Sequence, residues 1–111
     1  MKKPILYVVK SVVSPEYEDE FNGWYHKKHL PKLIGVSGCK SVRRFKAIEA
    51  EDKFNYIGVY EFGDLESYRK YDTSAFKEEM LQDFGKTFGD RAPKFKRELR
   101  RSLWELVYPL D

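Results

Sequence analysis

The segment F-N-Y-I-G-V-Y-E-F, residues 54–62, is the clearest strand in this chain and constrains its fold most strongly. Side chains along a strand alternate between two faces. One face is aromatic and carries Phe54, Tyr56, Gly58, Tyr60 and Phe62. The other face is aliphatic and carries Ile57 and Val59. Two apolar faces predict a sheet with helices on one side and a further partner on the other. If the helices cover the aliphatic side, the tyrosines are left bare.

Three further segments have strand character. Residues 5–13 are β-branched and aromatic and are bounded by prolines, which is typical of a buried strand. Residues 39–49 predict a second strand. The last segment fits a helix by the spacing of its leucines, or a strand by the alternation that includes Trp104. We favour a strand from about Arg100, because a three-stranded sheet would leave an unpaired edge.

Helices are predicted between these strands. The first begins at about Pro15, with acidic residues in its first turn and lysines at its far end. Asp64 can cap a short second helix, and Thr73 or Ser74 can begin a third that ends near Gly89 and Pro93. The apolar stripe of that third helix is Phe76, Met80, Leu81, Phe84 and Phe88.

The order of elements, β-α-β-β-α-β, predicts the ferredoxin-like fold of the α+β class. This is one domain, residues 1–111, with a four-stranded antiparallel sheet and helices on one face. A single cysteine excludes an internal disulfide, and the polar N-terminus does not fit a secretory signal, so we expect a cytoplasmic protein. No apolar run reaches the roughly 18 residues of a membrane span. The net charge of +3 gives little reason to expect nucleic acid as a partner.

The stretch W-Y-H-K-K-H-L-P, residues 24–31, contains both histidines of the chain. His29 falls on the helical stripe of Tyr25, at a break imposed by Pro31, whereas His26 lies about 100° away and should be more exposed. A shared metal site is rejected, because lysines flank the pair and no carboxylate or thiol motif completes a ligand set. His29 either works as a general acid or base, or donates to a carbonyl that Pro31 leaves free.

This stretch, followed by G-V-S-G and a strand with R-R-F, resembles the dimeric α/β-barrel proteins, in particular their EthD-like and stress-responsive branches. The resemblance implies a homodimer formed through the sheet face, with a cavity between sheet and helices in each subunit. Such proteins include cofactor-free monooxygenases, lactone isomerases, polyketide cyclases or decarboxylases, and haem-degrading enzymes. A Gly-Phe pair usually opens the second strand, whereas this chain has Gly38 and Cys39.

The resemblance also implies which residues border the cavity: His29, Trp24, Tyr25, and one arginine of the second strand. Arg43 and Arg44 point to opposite faces, so only one of them can face the cavity, where it would bind a carboxylate, enolate or phenolate; the alternative is a salt bridge at the edge. The predicted catalytic residues are His29 and Arg44, and the predicted substrate-binding residues are Trp24, Tyr25, Arg43, Tyr56, Tyr60 and Tyr7.

The predicted function is binding of a small apolar, cyclic or aromatic molecule, with or without cofactor-independent acid/base chemistry such as isomerisation, cyclisation, decarboxylation or oxygenation. A non-catalytic, stress-responsive ligand-binding dimer is the main alternative. Haem binding through His29 is another, although no sequence feature selects it. RNA-recognition domains share the topology, and L-Y-V-V-K-S, residues 6–11, half resembles their first strand. The spacing of the aromatics and the near-neutral charge argue against RNA.

Overall fold

The computed structural model describes residues 3–29, 31, 38–89 and 98–108. Its regular elements are β1 (Ile5–Val12), α1 (Glu18–Trp24), β2 (Cys39–Lys46), β3 (Tyr56–Phe62), α2 (Leu65–Asp72), α3 (Ala75–Phe88) and β4 (Glu98–Glu105). The strands form one sheet in the order β2-β3-β1-β4, and every neighbouring pair is antiparallel. The predicted ferredoxin-like fold is confirmed, with the last strand beginning two residues before Arg100.

The register of the sheet decides which side chains share a face. Tyr7 on β1 is opposite Tyr60 on β3, and Arg44 on β2 is opposite Gly58. This face is covered by the helices, because Tyr7 and Tyr60 are only 4% and 2% exposed and pack with residues of α2. The helices therefore cover the aromatic side of β3, and the tyrosines are not left bare. Aromatic rings are the largest apolar surface available for burial. Buried in this way, Tyr56 and Tyr60 offer no surface on which RNA bases could stack.

Two packed clusters make up the core on the covered side. One joins the sheet to α2 and consists of Ile5, Tyr7, Cys39, Tyr60, Phe62, Tyr68 and Tyr71. The other joins the sheet to α1 and α3 and consists of Val13, Phe21, Trp24, Tyr25, Tyr56 and Phe88. Since Tyr25 of the second cluster meets Tyr60 of the first, the two clusters are in contact at a pair of tyrosines.

The first helical segment changes its pitch along its length. Pro15–Tyr17 form a 3-10 turn, α1 follows, and Tyr25–His29 form a π-helical turn. Pro31 lacks the N–H that would bond the carbonyl of Lys27, so the regular helix cannot continue unchanged. The predicted ragged end at residues 33–38 lies almost entirely outside the described residues.

The predicted caps of the later helices are confirmed. Asp64 Oδ1 accepts from the backbone N–H of Ser67 at 2.7 Å, and Ser74 Oγ accepts from that of Lys77 at 3.2 Å. Gly89 ends α3 with a φ of 54°, which favours glycine.

The stripe predicted for α3 is confirmed in part. Met80 and Phe88 are buried and Phe84 is half-buried, but the inclusion of Leu81 is wrong, because its side chain is 60% exposed. Leu81 lies one residue, or about 100°, away from Met80, which turns it out of the core. The side chain of Phe76 and all of Pro93 lie outside the described residues.

The other side of the sheet has no helix over it among the described residues. We call it the open face. Its apolar side chains are Leu6, Val8, Phe45, Ile57, Val59 and Trp104, and its polar or charged side chains are Lys10, Ser41, Arg43, Glu61, Arg100 and Ser102. Phe45 is 48% exposed and Trp104 is 59% exposed. The β2–β3 hairpin bends over one end of this face, where Lys10 and Asp52 form an ion pair at 3.3 Å. The face therefore has apolar side chains at its centre, where Val8 is opposite Val59, and polar or charged side chains around them.

Candidate functional site

A small cavity of about 60 Å³ lies between the sheet and the helices. We call it the tyrosine cavity, because four tyrosines, Tyr7, Tyr25, Tyr60 and Tyr71, line it. The remaining lining residues are Val9, Lys77, Met80, Leu81, Leu99 and Arg101. The four tyrosines are buried, whereas Leu81 and Arg101 are exposed, so the phenols form the interior and these exposed side chains form the mouth.

A larger groove of about 270 Å³ lies beside the β2–β3 hairpin. Most of its lining side chains are exposed, among them Phe45, Lys46, Glu49 and Asp52. Size alone would favour this groove. The tyrosine cavity is the stronger candidate site, because buried titratable groups converge on it, which is typical of functional sites.

The hydroxyls of Tyr25 and Tyr60 hydrogen-bond to each other inside the fold. Burial raises the pKa of both phenols, and it raises the pKa of Tyr7 to about 12. Burial also raises the pKa of Tyr71. All four phenols are therefore neutral at physiological pH, so they act as hydrogen-bond donors and acceptors rather than as bases.

Arg44 lies behind the hydroxyl pair of Tyr25 and Tyr60 and does not line the tyrosine cavity. Its guanidinium carbon is 4.4 Å from the centre of the Tyr25 ring, 4.8 Å from that of Tyr56 and 5.2 Å from that of Phe21. Its Nη1 donates to Asn22 Oδ1 at 2.7 Å. Burial lowers the pKa of Arg44, but an arginine keeps its proton at physiological pH. Its charge opposes the increase that burial causes in the pKa of Tyr25.

A chain of polar contacts leads from Arg44 to the surface. Asn22 Nδ2 donates to the Tyr56 hydroxyl at 3.1 Å, and that hydroxyl donates to Glu18 Oε2 at 3.2 Å. Lys46 Nζ completes the chain with an ion pair to Glu18 Oε2 at 2.8 Å. The hydroxyl of Tyr56 thus belongs to a network at the edge of the sheet, not to the tyrosine cavity.

The predicted exposure of His26 is confirmed. His26 is exposed, and its Nε2 lies 3.2 Å from Arg44 Nη1. Partial desolvation of its ring lowers the pKa of His26, and the charge of Arg44 lowers it further, so a neutral ring is favoured beside the guanidinium. The backbone of His29 closes the π-helical turn, and its side chain lies outside the described residues.

The predicted site residues do not all meet at one place. Tyr7, Tyr25 and Tyr60 meet at the tyrosine cavity. Trp24 lies in the core, where its Nε1 donates to Asp83 Oδ2 at 2.9 Å and ties α1 to α3. Arg43 lies on the open face opposite Val59, so Arg44 is the arginine on the helix-covered side.

Sequence reasoning missed the three other polar lining residues. Tyr71 comes from α2, Lys77 from α3 and Arg101 from β4. The alternation of Leu99, Arg101 and Leu103 along the last strand was a usable signal for the inward direction of Arg101, but it depends on knowing that the segment is a strand.

The fold of this chain is similar to the folds of several solved proteins. A protein of the ethyl tert-butyl ether D (EthD) family from Bacillus halodurans superposes with a TM-score of 0.66 at 17% identity, covering 95% of this chain and 99% of that one. A dimeric ferredoxin-like protein of unknown function from Bacteroides fragilis superposes with a TM-score of 0.65 at 11% sequence identity, covering 93% of this chain and 96% of that one. The hydroxynitrile lyase of Passiflora edulis superposes with a TM-score of 0.69 at 10% sequence identity, covering 100% of both chains. These similarities confirm the ferredoxin-like fold, which this chain shares with an EthD-family protein.

The chain belongs to the DUF4286 family, a domain of unknown function, whose model matches residues 4–102. No curated protein matches the sequence significantly. None of the helices in the described part of the chain is long and apolar enough to cross a membrane. Within the same residues, no group of three or more His, Cys, Asp or Glu side chains is placed to hold a metal ion.

Proposed function

We propose that this protein is a homodimer that binds a small organic molecule in the tyrosine cavity of each subunit. The observation that carries the proposal is the buried hydroxyl pair of Tyr25 and Tyr60 on the wall of a cavity. Buried polar groups next to a void are typical of binding sites, since a ligand atom can exchange hydrogen bonds with them. A volume of about 60 Å³ matches about two water molecules. It therefore encloses one end of a ligand, and the rest lies in the mouth beside Leu81 and Leu99.

The chemistry that fits this site is cofactor-independent proton transfer. Neutral phenols donate hydrogen bonds to a carbonyl or enolate oxygen and stabilise the charge that develops on it. Arg44 supports Tyr25 through the stacked contact at 4.4 Å without touching the cavity itself. In this proposal His29 moves the proton, and the reaction is of the isomerase, cyclase, decarboxylase or monooxygenase type.

Binding without catalysis is the second candidate, and one contact favours it. Tyr25 and Tyr60 already bond to each other, so one of their two O–H groups donates within the pair and is not available to a reacting atom. Conversion of a bound compound distinguishes the two candidates. Turnover that is lost in His29→Ala supports the enzyme, whereas binding without turnover by the wild type supports a ligand-binding dimer.

The proposed dimer forms through the open face, as the similarity to a dimeric ferredoxin-like protein suggests. Its central residues, Val8 and Val59, are directly opposite each other and apolar. Burying a lysine there costs several kcal/mol, so Val59→Lys should give a monomer in light scattering at micromolar concentration. Leu65→Lys is the matched control, because Leu65 is 45% exposed at the start of α2, on the helix-covered side of the sheet, and it should stay dimeric. A wild-type monomer would refute the dimer.

The binding proposal is tested with a panel of small aromatic acids, lactones and cyclic ketones in thermal unfolding. A ligand at 100 times its Kd stabilises the folded state by about 2.7 kcal/mol. Tyr60→Phe should weaken the binding of any hit by about tenfold, which corresponds to one hydrogen bond. Tyr68→Phe is the control, because Tyr68 is a buried tyrosine outside the cavity lining. Equal loss in both variants would place the site elsewhere.

A further inference from the structure

The mouth of the tyrosine cavity contains a cation that no predicted role accounts for. Arg101 on β4 is directly opposite Val9 of β1, which is another lining residue. The register therefore turns Arg101 toward the helix-covered side of the sheet, and its side chain borders the same cavity as Tyr7 and Tyr25. A surface arginine that pointed away from the sheet would not reach these groups.

The charge of Arg101 acts on the interior of the cavity. Burial raises the pKa of Tyr7 to about 12, and the positive charge of Arg101 opposes that increase. The same charge opposes the increase that burial causes in the pKa of Tyr25. Both phenols therefore lie within range of the guanidinium, in agreement with the position of Arg101 in the lining.

The other cations near the site are already engaged. Lys77 also borders the cavity, but its Nζ is paired with Asp72 Oδ1. Arg44 is stacked on three rings and bonded to Asn22. Arg101 has no ion-pair partner among the residues that the structure describes. Among the described residues, it is thus the guanidinium at the mouth that is available for a ligand.

We propose that the tyrosine cavity selects small carboxylic acids, and that Arg101, not Arg43 or Arg44, binds their carboxylate. This inference rests on the proposed small-molecule function of the same cavity. A guanidinium matches a carboxylate in a two-point, charge-assisted contact. The phenols of the interior then hold a second oxygen or the ring of the acid. The neutral amide of the same acid has almost the same shape but lacks the charge and the second acceptor oxygen, so it keeps only a single hydrogen bond from Arg101.

The test measures acids against their own amides with the intact protein. The probes are acetate, propionate and benzoate, each paired with its primary amide and titrated by NMR chemical-shift changes. We expect at least one acid to bind about tenfold or more tightly than its amide, because the carboxylate adds a second hydrogen bond and an ion pair with the guanidinium. Arg101→Gln should reduce that ratio to within about twofold, and Arg101→Lys should keep part of it.

Arg69→Gln is the matched control. It removes the same charge from an exposed arginine that stacks near Tyr68, 5.7 Å from its ring, but does not line the cavity. The preference for the acid should survive in this variant. A merely structural role of Arg101 would weaken acid and amide equally and leave their ratio unchanged.

The outcomes also distinguish a failure of the carboxylate inference from a failure of the proposed small-molecule function. If acids and amides bind alike, or if the preference persists in Arg101→Gln, the carboxylate inference is wrong and the small-molecule site stands. If no probe binds at this cavity and no compound of the wider panel does, the proposed function fails, and the carboxylate inference fails with it.

Discussion

Removing the hydroxyls of Tyr25 and Tyr60 one at a time and together tests the central contact of the proposed site. In the described structure, the hydrogen bond of the Tyr60 hydroxyl is to Tyr25, and the Tyr60 side chain is 2% exposed. Tyr25→Phe therefore leaves a buried hydroxyl without that partner, which costs about 1–3 kcal/mol. The adjacent cavity has room for about two water molecules, so we expect the lower half of that range.

The double variant should cost less than the sum of the single variants. Both hydroxyls are then absent, and no buried donor is left unmet. The ring of residue 25 remains, so the stacked contact with Arg44, at 4.4 Å from the ring centre, is kept. We expect a favourable coupling energy of about 1 kcal/mol between the two sites, in the range of contacting residues.

The assay is urea unfolding of the four proteins at one fixed protein concentration. A fixed concentration matters, because the stability of a dimer depends on it. Unchanged m-values would show that the variants alter stability rather than the extent of unfolding. Single-variant costs that simply add in the double variant would mean that the two hydroxyls do not share a hydrogen bond, and the reasoning about the site would be refuted.

Three further predictions concern the supporting structure. Gly58→Ala places a Cβ 3.2 Å from the ring of Tyr60, which its hydroxyl contact restrains, so we expect a loss of about 1–3 kcal/mol in urea unfolding and weaker ligand binding. Unchanged stability would show that the ring can move. Partial desolvation lowers the pKa of His26 in the folded protein. The unfolded chain therefore binds more protons than the folded one below about pH 6.5, and the free energy of unfolding of the wild type falls as the pH drops through that range. The decrease from pH 7.5 to 5 should be smaller in His26→Gln, and an equal decrease would contradict the assignment. Asp64→Ala removes the N-terminal cap of α2 and should lower the free energy of unfolding by about 0.5–2 kcal/mol in the same assay. Asp64→Asn should retain most of the stabilisation that the cap provides.

The sequence determined the order of elements, the two faces of β3 and the helix caps. These follow from local rules: alternation places Tyr56 and Tyr60 on one face, and Asp64 and Ser74 are cap residues wherever a helix follows them. Of the predicted site residues, Tyr7, Tyr25 and Tyr60 line one cavity. The rings of Tyr7 and Tyr60 lie on the covered face of the sheet, and Tyr25 belongs to the helical stripe that packs on that face.

Only the tertiary structure decided which side of the sheet is covered and which cation reaches the cavity. The choice between Arg43 and Arg44 depends on the register between β2 and β3, and the approach of Arg101 to Tyr7 and Tyr25 depends on β4 pairing with β1 across a long sequence separation. Alternation says that neighbouring side chains point to opposite faces, but not which face meets the helices. That choice is made by long-range packing, in which the larger aromatic surface is buried.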